Sequence, residues 1–204
     1  MQTTRRQVNS LGIKIVTSLI STKLDKILSL YEAKGYWMSD TLLPGLSETQ
    51  IRDMTEWFPA TLCSELIEMY MWRNGQSRDA KYPFWFRDTI FQSVGDAKDA
   101  YYSTLKIYAE ENVSERDGID ILKCFPFAEF EGECYVLPCV RQTVNLEYER
   151  PVMTQAGEIY FHSIGAMLDT VLEWISHSDY EIFNHLPREV ELAIWHKHNP
   201  GIFS

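Results

Sequence analysis

At 204 residues the chain has room for one domain, or one domain and an extension, and with 45% hydrophobic residues, 6 Trp, 11 Tyr and 10 Phe it is too apolar for a disordered regulator. Its net charge of −10 is unevenly spread: residues 1–43 carry six Lys or Arg against three acids, and residues 44–204 carry thirteen against twenty-six. Such an acidic body repels phosphate backbones, which argues against direct nucleic-acid binding and leaves plain solubility or a basic protein partner.

Arg5-Arg6 precedes an apolar run from Leu11 to Ile20, but Lys14 interrupts the run and no small-residue cleavage site follows, so an export signal is rejected. Val16, Leu19, Ile20, Leu24, Ile27, Leu28 and Tyr31 keep helical spacing up to Gly35. Residues 1–40 are therefore read as an N-terminal helical extension packed on the body, and residues 41–204 as a single domain with C-terminal helices. Ser47 and Gln50 have the form of a capping box, after which Ile51, Met54, Trp57 and Phe58 form an apolar face until Pro59 breaks the helix. Leu62, Leu66, Met69 and Tyr70 start a second face, with Ser64, Glu65 and Glu68 turned to solvent. Asn74-Gly75 then offers the left-handed backbone that closes a helix.

Beyond the polar loop from Gln76 to Lys81, Tyr82 to Phe86 is aromatic and short enough for an edge strand that tolerates proline. Ala97 to Tyr108 has helical spacing. The period then changes, with Ile121 to Phe130, Glu133 to Val140 and Arg141 to Tyr148 reading as strands and Glu131-Gly132 as a hairpin turn. Ile159 to Phe161 adds a short strand before Ser163 caps a helix carrying Ile164, Met167, Leu168, Val171, Leu172 and Ile175. Pro187 opens a last helix that Asn199-Pro200-Gly201 ends. These elements predict an α+β fold, an antiparallel meander with helices packed on one face.

The leucine and proline of LLPGLSE, the apolar face through Trp57 and Phe58, the ELIEMYMWRNG helix end with Tyr70, Asn74 and Gly75, and the IYFHSIGAMLDTVLEWI segment together span most of Leu43 to Ile175. In these features the chain resembles the SUKH superfamily, which groups bacterial toxin-immunity proteins with fungal regulators of cell-wall glucan synthesis. It departs from many members in having Leu62-Cys63 where they have Leu-Pro, its own proline standing at Pro59. The resemblance implies a non-catalytic domain that neutralises a toxin of nuclease or deaminase type by direct binding. A regulatory scaffold like the glucan-synthesis regulators is the alternative, and an unrecognised enzyme the third reading.

The chemistry-bearing residues form no familiar constellation. His196 and His198 stand two apart on a helix, about 200° around it, and Cys134 and Cys139 are an odd number of residues apart on a strand, so neither pair shares an ion. The four cysteines are too few and too irregular for a disulfide framework and read as buried cytosolic thiols. Ser163 beside His162 is better explained as a helix cap, and there is no phosphate loop, dinucleotide fingerprint or nucleophile elbow. No metal, cofactor or catalytic residue is predicted. No apolar stretch approaches the roughly 18 residues of a membrane span, and the protein is read as cytoplasmic. Candidate partner-binding residues are the aromatics around the Asn74 turn, namely Trp72, Tyr82, Trp85 and Phe86, with Asn74 itself. Glu129, Glu131 and Glu133 alternate and would share one face of an extended strand, where solvated surface is the plain reading and steering of a basic partner the functional one.

Overall fold

A computed structural model describes residues 19–80, 84–86, 89–111, 115–116, 119–130, 132–140, 150–181 and 186–202. Helix α1 (Leu19–Ala33) buries Leu24, Ile27 and Tyr31, the stripe its spacing predicts; Val16 lies outside the described residues. Gly35, at φ +88°, ends the helix in a Schellman motif, its own N–H donating to Glu32 O at 2.9 Å and that of Tyr36 to Tyr31 O at 3.0 Å. Lys23 ties α1 to α5 (Ile164–Ser176) through Asp169 at 2.7 Å and the Gly165 carbonyl at 3.1 Å.

Helix α2 (Glu48–Met54) begins with the predicted capping box, Gln50 N donating to Ser47 Oγ at 3.2 Å and Ser47 N to Gln50 Oε1 at 2.8 Å. It stops short of the predicted end. The Thr55 hydroxyl takes the Ile51 carbonyl at 2.8 Å, the Trp57 indole takes that of Met54 at 2.6 Å, and Phe58, preceding proline, is disfavoured in helical conformation. Trp57 and Phe58 therefore stand on a turn, yet both still pack on Phe125, with ring centroids 5.7 and 5.2 Å away. Met54, expected on the apolar face, is 40% exposed.

Helix α3 (Ser64–Trp72) buries Leu66, Met69 and Tyr70 as its spacing requires. Glu65 and Glu68, expected in solvent, are half-buried and engaged: Glu65 pairs with Arg150 at 3.1 Å, and Glu68 accepts the Ser21 N–H of the first turn of α1 at 2.8 Å. The helix ends without a left-handed residue, because Arg73 is extended at φ −152° and the chain runs directly into β2 (Arg73–Gln76), antiparallel to β1 (Leu42–Pro44). Asn74-Gly75 is thus strand, not helix terminator. Gly75, at φ +75°, meets a different need, since a Cβ there would lie 2.3 Å from Ser93 N and 2.4 Å from Gln92 C.

The main sheet is six-stranded and antiparallel. Its order is β10 (Ile159–Phe161), β9 (Val152–Thr154), β8 (Glu133–Pro138), β7 (Cys124–Phe130), β4 (Thr89–Phe91) and β3 (Trp85–Phe86). The predicted edge strand is β3. The α+β class and the meander hold, while the strand expected over Arg141 to Tyr148 lies outside the described residues and β9 pairs with β8 instead. A small hairpin, β5 (Glu115–Arg116) and β6 (Ile119–Asp120), and a 3-10 turn (Ile121–Lys123) precede β7, where the sequence suggests strand from Ile121.

The sequence predicts helices on one face of the sheet, but alternation along β7 and β8 sends apolar side chains to both. Phe125, Tyr135 and Leu137 enter the large core with α1, α3 and α5, whereas Cys124, Cys134 and Val136 point to the other side with Met153. Helix α4 (Val94–Glu111) sends Val94, Ala97 and Tyr101 into the large core, and on the second side its Thr104, Leu105 and Tyr108 enclose a small hollow with Cys124 and Val136. The apolar residues are thus numerous enough to cover both faces. Helix α6 (Arg188–His198) packs on α5 and is closed by Asn199, which is buried and holds Thr170 Oγ1 at 3.1 Å. No helix among the described residues is long and apolar enough to cross a membrane.

Candidate functional site

Helix α4 leaves part of the second face open, and two adjoining hollows of about 370 and 220 Å³ form there. Both are lined by Arg78, Gln92, Asp96 and Glu129, so they make one groove between the start of α4, β4 and the β7–β8 turn. The sequence builds this groove through a helix start. Ser93 Oγ accepts the Asp96 N–H at 3.1 Å and donates to Asp96 Oδ2 at 2.6 Å, while Asn74 Oδ1 accepts the Val94 N–H at 3.0 Å. Gly75 allows the β2 backbone close enough for its neighbour Asn74 to reach that helix end.

Arg78, on the loop after β2, donates from Nε to Asp96 Oδ1 at 2.6 Å and also reaches Asp99 Oδ2 at 3.8 Å. The base of its loop is fixed by Gln76, which is 3% exposed, donating to Thr41 Oγ1 and accepting the Phe84 N–H, each at 2.6 Å. Opposite, Glu129 Oε1 accepts the Gly132 N–H of the turn at 2.7 Å. Gln155 fastens that turn to α4 by donating to Gly132 O at 3.1 Å and accepting from Thr104 Oγ1 at 3.3 Å. Gln92, 8% exposed, lines both hollows with an Oε1 that is buried and lacks a hydrogen-bond partner among the described residues.

Among the described residues, three carboxylates, Asp96, Asp99 and Glu129, and a bare amide oxygen face one cation, Arg78, so acceptors outnumber cations there. Cys134 at its floor is a poor nucleophile: burial first, then Glu129 and Glu133, push its thiol up to about 12. Burial likewise raises the Tyr70 hydroxyl, with a further contribution from Asp96. No group of three His, Cys, Asp or Glu among the described residues is placed to hold a metal ion.

Of the predicted partner-binding residues whose side chains are described, Trp72, Asn74 and Glu133 line neither hollow, and Glu129 lines both. Trp72 is buried, its indole N–H donating to Asp25 Oδ1 at 2.7 Å, and Asn74 is spent on the α4 cap. Tyr82 and Glu131 lie outside the described residues, and Trp85 and Phe86 are described as the backbone of β3. Glu129 and Glu133 project to opposite faces, because the chain reverses between them: Glu129 pairs with Cys134, and Phe130 with Glu133. Sharing one side would require a continuous strand. Of the two described members of the acidic set, Glu129 lines the groove and Glu133 does not. Arg78, Gln92 and Asp96 escape sequence reasoning, although Ser93-Val-Gly-Asp96 carries the capping-box spacing that announces the start of α4. Nothing in a sequence announces that a buried amide will lack a partner.

A comparison with protein-family models finds no match, and no curated protein matches the chain.

Proposed function

We propose that this chain is a non-catalytic protein-binding domain of SUKH type, an immunity protein that neutralises a bacterial toxin of nuclease or deaminase class by covering its cationic surface. The observation that carries this reading is the groove: three carboxylates and a buried amide oxygen that lacks a partner among the described residues, gathered between the start of α4, β4 and the β7–β8 turn. An enzyme that holds nucleic acid must present positive charge, and an acidic inhibitor competes for that charge while speeding its own association. The family reading rests on the residues of the LLPGLSE, ELIEMYMWRNG and α5 segments, which form β1, α3 with β2, and β10 with α5.

The test is to capture partners on the immobilised chain, produce the captured protein alone in cells, and measure growth with and without this chain. The proposal expects a basic protein that arrests growth when alone and is silenced by co-expression. Partners without toxic activity would favour the regulatory-scaffold reading, and toxicity that persists beside a folded chain would remove the immunity role.

A further inference from the structure

The groove is asymmetric in what it still has to offer. Asp96 is fully engaged, one carboxylate oxygen by the Ser93 hydroxyl and the other by Arg78. Glu129 has spent one oxygen on the Gly132 N–H, and among the described residues no hydrogen bond or ion pair uses the other. Gln92 lines the same two hollows, and its Oε1 is buried with no partner among those residues. A buried acceptor left bare carries the desolvation penalty of its polar group, and a donor arriving from outside recovers that loss as binding. From these placements we infer that the groove is a slot for a single lysine side chain of the protein partner, its ammonium held by Gln92 Oε1 and the free oxygen of Glu129. This inference rests on the protein-binding reading above and names what that partner inserts.

Lysine suits the slot for a geometric reason. A guanidinium presents a planar fork that is best satisfied by both oxygens of one carboxylate. Glu129 offers one oxygen, and Asp96 has neither of its own free, Arg78 holding one and the Ser93 hydroxyl the other. An ammonium is a compact charge with three donors that can turn toward a carboxylate oxygen and an amide oxygen at once. The larger hollow, about 370 Å³, admits the four-carbon stem, and Ile90 and Phe91 in its lining give that stem apolar contact. Asp99, 78% exposed in its side chain at the rim, supplies longer-range attraction.

The probe is a short lysine homopeptide, titrated into the full chain and compared with an arginine homopeptide of equal length. Gln92→Leu and Glu129→Gln should each weaken lysine-peptide binding by about tenfold, roughly the loss of one charge-assisted hydrogen bond, while Asp53→Asn and Glu189→Gln, at exposed acids far from the groove in sequence, leave it nearly unchanged. Gln92→Glu, which keeps the acceptor and adds charge, should bind at least as well as the native chain. The arginine peptide should respond to all four charge-removing or amide-removing variants weakly and alike. Equal losses in groove and control variants, or an arginine peptide with the same dependence on Gln92 and Glu129, would overturn the slot. Thermal melts accompany each variant, and if Gln92→Leu fails to fold, Glu129→Gln against Asp53→Asn decides the matter. A captured partner whose binding ignores both groove variants removes the slot and spares the protein-binding reading. A slot that binds lysine peptide in a chain that protects no cell from any captured partner removes the immunity reading and spares the slot.

Discussion

Gly75 and Gly132 have similar backbone angles, φ +75° and +87°, but very different surroundings. A methyl group at Gly132 would meet nothing within 4 Å, whereas at Gly75 it would strike the Gln92–Ser93 backbone. Gly132→Ala should therefore cost only the left-handed strain, about 1–2 kcal/mol. Gly75→Ala adds a backbone clash and should exceed it by roughly 1–3 kcal/mol in urea denaturation. Equal losses would show that β2 can withdraw from β4 freely. Trp72 makes a second residue-scale case, because Trp72→Phe keeps most of the ring and loses the N–H bonded to Asp25. The loss expected is about 1–3 kcal/mol, and a double-mutant cycle should show Asp25→Asn costing little more once Trp72→Phe has removed the donor. The sequence signals at both positions are visible, but their purposes are not. Asn-Gly after an amphipathic run looks the same whether it closes a helix or lets one strand crowd another, since the crowding partner, Gln92-Ser93, is distant in sequence.

Among the elements, the helix starts are the most legible, because capping is local chemistry. The Ser47 box and the Ser163 cap, whose hydroxyl accepts the Ala166 N–H at 3.1 Å, fall where predicted. Helix ends are less so, as the early stop of α2 depends on Trp57 and Thr55 competing for carbonyls. The solvent face of α3 departs from expectation for a tertiary reason, its acids serving α1 and Arg150. Glu68→Ala removes an acceptor from the first turn of α1 and should cost about 0.5–2 kcal/mol, the range of a lost cap. Glu65 yields a pH prediction. Burial pushes its carboxyl up, but its own backbone N–H, the Ser64 hydroxyl and Arg150 outweigh burial and hold it below the usual carboxylate range. A depressed folded-state value means that Glu65 stabilises the fold above the ordinary carboxylate pKa and loses that contribution as pH falls through the depressed one. Melts of Glu65→Gln should accordingly sit below the native chain at neutral pH and converge with it in acid. Parallel curves would remove Glu65 from the acid limb.

At the scale of the whole molecule, the period change after residue 119 reveals the sheet, because strand alternation is written into β7 and β8 themselves. The two-sided layering is not legible. Alternation says that two faces exist, and only the packing of α4 against Cys124 and Val136 says that the second face is also covered, except where the groove opens. The sequence suggests an acidic surface on a continuous strand at Glu129, Glu131 and Glu133, whereas the groove gathers Glu129 with Asp96 and Asp99 from a helix that the chain reaches some thirty residues earlier. The central claim is that a basic protein docks over this groove. Amide hydrogen exchange of the chain, with and without the captured partner, tests it most directly, since slowed exchange marks the covered backbone. The account predicts slowing at β4, the first turns of α4 and the β7–β8 turn, with α1 and α6 unaffected. Protection confined to α1 and α6, with the groove exchanging at its free rate, would contradict it.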